Sequence, residues 1–258
     1  MAEKLLVKDV MSKPVTIAKS SPITEALDKM LDEGLDPLVV TNNGGVVGTI
    51  SRKSIADILG SKKTSAVSPT KIHVANQMDE NFTSVYPDQE AEVLVPLLQE
   101  YKVVAVFDDE HNLVGKVDAN DLLASVYPDS SVENLMQVPH TINSGERVVH
   151  LRRRMIDEGV MKFVVTGEDG IEGVVTETDI ASSMREFRES GEGKRQEYRV
   201  RNLLVSDIMT SPAMTVNSEM ELKSVIDLIV NKKISSLPVV KDGKLAGIIF
   251  KDALVMAL

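Results

Sequence analysis

Apolar positions along the chain follow two rhythms that alternate and recur. One is helical: Ile23, Ala26, Leu27, Met30 and Leu31 fall at i, i+3, i+4, i+7 and i+8, which makes a single stripe. Leu222, Val225, Ile226 and Ile229 repeat that spacing near the other end. The second rhythm is a pair of short β-branched runs: 38–40 with 46–50, 103–107 with 113–117, 163–166 with 171–175, and 237–240 with 245–249. The joints between them, 42–45, 108–112, 167–170 and 241–244, are rich in Gly, Asn and Asp, which is turn chemistry. A short extended piece precedes each helical stripe (14–17, 82–85, 139–142, 212–216), and a second helix closes each set. The predicted order is β-α-β-β-α, four times. Ser21 is the expected N-cap of the first stripe, with Pro22 as its first helical residue. Pro96 falls inside the corresponding helix of the second set and is expected to kink or shorten it.

The repeat is in register. Each unit opens on a stretch that ends in methionine, at Met11, Met78, Met136 and Met209. Gly48, Gly115 and Gly173 lie 37 residues after the first three, and Gly247 lies 38 after the fourth. The units span 4–60, 72–126, 130–187 and 201–258. A Ser/Lys-rich linker, 60–70, joins the first two; a charged one, 189–199, joins the last two, extending the preceding helix before turning at Gly191 and Gly193. A unit of about 55 residues has too little core to stand alone. Sheet-to-sheet pairing is therefore expected, giving two modules, 1–127 and 128–258. The fold class is α/β (α+β).

Composition narrows the function. With 43% apolar residues, 12 methionines and no tryptophan, the core must be aliphatic and methionine-rich. A net charge of −10 argues against a nucleic-acid partner. The absence of cysteine removes disulfides and thiolate metal sites. Neither a secretory leader nor an apolar run of membrane-spanning length is visible, so a cytoplasmic protein without a membrane partner is expected. His73, His111, His140 and His150 are scattered and lack metal-ligand spacing. Arg152, Arg153 and Arg154 cluster on one helix, with solvent as their expected surroundings. No P-loop, dinucleotide fingerprint or catalytic constellation is present, so no enzymatic activity, metal or cofactor is expected.

One stretch carries candidate chemistry: Gly173-Val174-Val175-Thr176-Glu177-Thr178-Asp179. It reads as a strand entering a helix. Thr176 can cap that helix, which puts its hydroxyl beside the Asp179 carboxylate in the first turn. Helix N-termini also offer free N–H groups to anions. The same pattern is an ordinary capping box, and both readings remain open. The other copies depart from it. Unit one has Ser51-Arg52-Lys53-Ser54, which lacks the carboxylate; unit two has Asp118-Ala119-Asn120-Asp121, with a second acid in place of threonine. Unit four has Phe250-Lys251-Asp252-Ala253, which lacks both groups and in which Phe250 is expected to fill space.

The Asp-Val-Met and Asp-Ile-Met openings, the run Ile234-Ser235-Ser236-Leu237-Pro238-Val239-Val240 and the stretch from Gly173 to Asp179 resemble the CBS domain, named after cystathionine β-synthase. The resemblance covers nearly the whole chain. It implies paired units with clefts that bind adenosine-containing ligands such as AMP, ADP, ATP or S-adenosylmethionine. Four-unit chains resemble the nucleotide-sensing γ subunit of AMP-activated protein kinase, in which two modules form a flat disc. The implied roles are Asp179 on the ribose hydroxyls and Thr176 with the helix N–H groups on phosphate. Val174 would touch the base. From unit four come Met209, Pro212, Met214, Ile234, Ser235, Ser236 and Pro238, with Lys233 as phosphate cation. Met209 and Met214 equally suit core packing, and Lys233 equally suits solvent. Asp121 is a doubtful second site. The expected function is regulatory: adenine-nucleotide sensing by a homodimer that acts on an unidentified protein. The alternatives are a docking or oligomerisation module with decayed pockets, and an S-adenosylmethionine binder.

Overall fold

The computed structural model describes residues 4–59, 67–189 and 202–258. Most of the first linker, 60–66, and the turn expected at Gly191 and Gly193 lie outside the described residues. Unit one contains α1 (Val7–Val10), β1 (Thr16–Ala18), α2 (Ile23–Glu33), β2 (Leu38–Asn42), β3 (Gly45–Ile50) and α3 (Arg52–Leu59). Unit two contains β4 (Thr83–Val85), α4 (Leu94–Tyr101), β5 (Val103–Phe107), β6 (Leu113–Asp118) and α5 (Ala119–Leu123). Unit three contains α6 (Val132–Leu135), β7 (Thr141–Asn143), α7 (Val148–Glu158), β8 (Lys162–Gly167), β9 (Gly170–Thr176) and α8 (Glu177–Glu189). Unit four contains β10 (Val216–Asn217), α9 (Leu222–Lys232), β11 (Ser236–Lys241), β12 (Lys244–Phe250) and α10 (Lys251–Met256). This is a mixed α/β fold with four three-stranded sheets. In each sheet a parallel first strand sits beside an antiparallel hairpin.

The helical stripes bury as their spacing predicts. Helix α2 hides Ile23, Ala26, Leu27 and Met30, and α9 hides Leu222, Val225, Ile226 and Ile229. Pro96 shortens its helix: α4 has 8 residues against 11 in α2, α7 and α9. A 3-10 turn at Ala91–Val93 replaces the missing start, which leaves Pro96 in the first helical turn, where its absent N–H breaks no bond. Ser21 is not the cap of α2. The helix begins at Ile23 with Pro22 at the cap position. A strand-like crossing takes the place of a side-chain cap, because the Ile23 N–H donates to the Ile72 carbonyl (2.8 Å) and the Val74 N–H to that of Ser21 (2.9 Å).

That crossing is one instance of a general exchange, in which the lead-in of each unit buries in its partner's core. Val7 and Val10 pack with unit two, and Ile72 and Val74 with unit one. Val132 joins the cluster that contains unit four, and Val205 completes unit three. The repeating methionine and glycine meet in the same exchange. The residue after each methionine forms a bridge with the residue after the partner's glycine: Ser12 with Lys116, Asp79 with Thr49, Gln137 with Ile248, and Thr210 with Val174. Each bridge uses two backbone hydrogen bonds of 2.8–3.0 Å. All four glycines sit beside a bulge in their hairpin, at the point where the partner's chain passes over them. A Cβ on Gly115 or Gly247 would lie 2.7 or 2.8 Å from the sulfur of Met11 or Met136, and one on Gly48 would lie 2.1 Å from the Asp79 carbonyl oxygen.

The two pairs meet through helices. α3 packs on α8, joining units one and three, while α4 and α5 pack on α10, joining units two and four. The second helix of every unit begins directly after its last strand, so these packings bring the four signature stretches toward the middle of the molecule.

The crossings rank the cost of adding one methyl group. Gly48→Ala drives a Cβ into backbone and is expected to lose about 3 kcal/mol in urea denaturation, the upper part of the overpacking range. Gly247→Ala meets a flexible thioether and is expected to lose about 1 kcal/mol.

Candidate functional site: a cavity where the four units meet

A cavity of about 740 Å³ opens at that meeting point and is lined from all four units. Its size suits a drug-sized or nucleotide-sized molecule. Strand β9 delivers Val174 and Thr176 to its wall, and the first turn of α8 delivers Glu177, Thr178 and Asp179. The Thr176 hydroxyl accepts from the Thr178 N–H (3.2 Å) and donates to Asp179 Oδ2 (2.7 Å). The Thr176 N–H donates to that same oxygen (2.7 Å). Capping is therefore realised, with both bonds gathered on one carboxylate oxygen, while Asp179 still lines the cavity. Burial pushes the Asp179 carboxyl above the ordinary aspartate range, against the opposing pull of the Thr176 bonds.

Across the cavity stand Met214, Lys233, Ile234, Ser235 and Ser236. Three residues expected with them do not line it. Met209 lies over Gly173 and against the core of unit three, so its packing role is the one realised. Pro212, in a cis peptide bond with Ser211, is exposed outside the lining. Pro238 is buried within β11, opposite Ile248. Lys233 reaches the cavity by its stem, while its ammonium donates to the Glu33 carbonyl at the end of α2 (2.6 Å). Its stem lies so close over Gly34 that a Cβ there would come within 2.4 Å of Lys233 Cδ.

Lys233 also adopts a left-handed backbone (φ 52°), as does Lys102 (φ 63°). Both end the helix that follows their unit's first strand, where units one and three use Gly34 (φ 66°) and Gly159 (φ 67°). Glycine takes this conformation without strain, so the two lysines hold it at a cost of about 1 kcal/mol each. Each forms a tie between units: Lys233 to α2 of unit one, and Lys102 to Asp252 of unit four.

Sequence reasoning missed the charges that complete the wall. Arg52 donates to the Met30 and Leu35 carbonyls (2.9 and 3.0 Å) and reaches Thr178 Oγ1 (3.5 Å) in unit three, while its N–H donates to Asp36 (2.9 Å). Burial pushes Asp36 and Glu177 up and pushes Lys162 and Lys251 down. Asp252 moves the other way: burial raises it, but the hydrogen bond and charge of Lys102 outweigh burial and hold it below the ordinary range. Phe250, expected to fill space, carries the Lys162 ammonium 5.6 Å above its ring centre. One signal could have found Lys162. It starts β8, and the ladder places it directly opposite Thr176.

In units one and two the signature side chains bond within their own unit, although Ser51 and Ser54 also line the central cavity. In unit one, Ser51 and Ser54 hydrogen-bond each other through backbone and hydroxyl groups. In unit two, Asp118 caps α5, accepting from the Asn120 and Asp121 N–H groups (2.7 and 3.2 Å). Lys116, 5% exposed, bridges Asp118 (2.5 Å) and Asp121 (2.8 Å). Burial pulls the Lys116 ammonium down, but the two carboxylates outweigh it and hold it above its ordinary value. Asp121 lines neither this cavity nor the adjoining one of about 180 Å³, and its carboxylate is already occupied. Among the described residues, no group of three metal-ligating side chains is present. No described helix is long and apolar enough to cross a membrane.

Comparison with known families matches the CBS domain four times, over residues 7–61, 72–128, 130–186 and 205–258. An uncharacterized protein of Methanocaldococcus jannaschii, MJ1225, is 24% identical over 94% of both chains. A second protein of that organism, MJ1404, is also 24% identical over 94% of this chain, which spans 59% of its length. The crystal structure of MJ1225, described as a proposed archaeal homologue of γ-AMPK, superposes with a TM-score of 0.79 at 22% identity, covering 97% of this chain and 99% of that one. A conserved uncharacterized protein of Pyrococcus horikoshii superposes with a TM-score of 0.62 at 21% identity, covering 97% and 98%.

The buried triad of unit two gives a test of its own. Lys116→Met strands two carboxylates and is expected to lose about 3–5 kcal/mol at neutral pH in urea denaturation. The stranded carboxyls would sit above their ordinary range and favour the protonated form. Part of the loss should therefore return as the pH falls toward about 5.

Proposed function

The chain belongs to the CBS-domain family, and from that premise we propose that it is a regulatory protein that binds an adenine nucleotide in the central cavity. The observation that carries this reading is the placement of Asp179 and Thr176 on one wall of a nucleotide-sized cavity, with the Ile234–Ser236 edge of unit four on the other. Asp179 takes the ribose hydroxyls, a charge-assisted contact for which its cap bonds hold the carboxylate in place. Val174 and Ile234 offer apolar surface to the base. AMP, ADP and ATP are the proposed ligands, with S-adenosylmethionine as the competing adenosine compound.

Regulation follows from where the cavity lies. Its walls belong to four units held by separate helix packings, α3 on α8 and α4 and α5 on α10. A ligand that touches several of them favours one relative arrangement over others, and a partner protein reads the difference. No catalytic step is assigned.

A second reading, a docking or self-associating module, has its own support. The signature positions of units one and two are satisfied within their own unit, by the Ser51–Ser54 bonds and by Lys116, and unit four carries Phe250 and Ala253 at them. Absence of any thermal shift with nucleotides, together with stable self-association, would favour it.

Calorimetry with AMP, ATP and S-adenosylmethionine on the wild type and Asp179→Ala tests the first reading. The substitution is expected to weaken the preferred ligand roughly tenfold or more; equal binding by both proteins removes Asp179 from the mechanism. Ribose binding also needs the carboxylate ionised, and burial holds its pKa above the ordinary aspartate range. Adenosine, which has no phosphate to titrate, should therefore lose affinity in mild acid, at a higher pH than an exposed aspartate would impose. Asp179→Asn should abolish that pH dependence.

A further inference from the structure

We propose that Lys162, and not Lys233, is the cation that receives the phosphate of a nucleotide held at Asp179; the assignment rests on the nucleotide reading above. Lys162 opens β8 directly across the ladder from Thr176, the residue that leads into α8. Its side chain therefore faces the N-terminal turn of a 13-residue helix, beside the threonine that caps it. The ammonium has three N–H groups to satisfy. Its contacts are the Ser235 carbonyl, at 3.4 Å, and the face of the Phe250 ring. Glu177 lies beside it on the same wall, yet Glu177 Oε2 is buried without a hydrogen-bond partner, and the two charges do not form an ion pair. Lys162 is thus a cation enclosed in the cavity with its donors largely unspent.

Most of the other described cations of the wall are committed elsewhere; Arg52 alone of them keeps a buried donor, its Nε, without a partner. Arg52 serves two carbonyls at the end of α2, Lys233 a third, Lys102 the Asp252 carboxylate, Lys251 the Asn120 side chain (3.1 Å) and Lys53 Asp57 (2.9 Å). Recruiting Lys233, Lys102, Lys251 or Lys53 to a phosphate means breaking a tie between or within units, whereas Arg52, which reaches Thr178 in the same turn, can join Lys162 through its Nε without breaking one. Recruiting Lys162 breaks one long contact. A phosphoryl group at the start of α8 would also give this lysine a directly bonded counter-charge, where Glu177, Asp252 and Asp36 act on it only through space. A compact ammonium on a flexible stem suits that task.

Adenosine and AMP separate the phosphate from the nucleoside. The wild type is expected to bind AMP roughly tenfold or more tightly than adenosine. In Lys162→Met that advantage should disappear while adenosine binding stays within about twofold. Lys162→Arg and Lys233→Ala should both keep it. If Lys162→Met loses adenosine as well, the arginine variant decides: a retained AMP advantage supports the assignment, a lost one overturns it. An unchanged AMP-to-adenosine ratio in Lys162→Met, or its loss in Lys233→Ala alone, overturns the assignment and leaves the nucleotide reading standing. Failure of the wild type to bind either compound overturns both.

Discussion

Each unit is finished by another. A lead-in such as Val7–Val10 leaves the unit it begins and buries in the core of the partner, and the next residues cross the partner's hairpin over a glycine. Two valines fully removed from water contribute about 3–4 kcal/mol, a large share of the stability of a domain this small. The exchange also fixes geometry. Reciprocal backbone bridges hold the two hairpins in register, which sets the backbone on either side of the cleft between units three and four. Val174 shows the economy of this: its backbone is bridged to Thr210 while its side chain lines the cavity.

Charge dominates the middle of the molecule. Asp36, Arg52, Lys162, Glu177, Lys251 and Asp252 come from three units and meet in one partly enclosed space. Burial moves Asp36, Glu177, Lys162 and Lys251 toward their neutral forms, whereas paired groups such as Asp252 and Asp118 stay ionised below their ordinary range. A triad like Lys116–Asp118–Asp121 costs several kcal/mol of desolvation to form and, once formed, costs much to break. It makes a sound structural clamp and a poor ligand site. Lys162 and Glu177 have the opposite character, since they line open space without forming an ion pair with each other.

Much of the architecture was legible because it rests on periodicity. The stripes of α2 and α9, the paired runs of the hairpins and the Met-to-Gly spacing all follow from short-range rules. What the spacing did not reveal is that the two ends of each 37-residue interval touch different units: Met11 meets Gly115, and Met136 meets Gly247. The same blindness explains the helix cap at Pro22, where backbone from residues 72–74 displaced the expected serine. In the site, Asp179, Thr176 and the Ile234–Ser236 edge were readable from their motifs. Met209 and Pro238 were not distinguishable from ligand contacts, since an apolar residue beside a cleft and one beneath it look alike in a sequence. Lys116, Arg52 and Lys162 matched no motif. Their partners lie across ladders or in other units, and only the assembled fold reveals which charges are spent.

The swapped lead-ins also bear on how such a chain can change over generations. Losing one repeat would open two cores, its own and the one it was closing. Duplication of a single repeat would yield a copy with an unfilled groove and an unpaired tail. Repeats of this kind are therefore inherited as couples, and sequence drift within one member is answerable to the other. The signature stretches, by contrast, differ in chemistry among the four copies: Ser51 with Ser54, Asp118 with Asp121, Thr176 with Asp179, and Phe250 with Ala253.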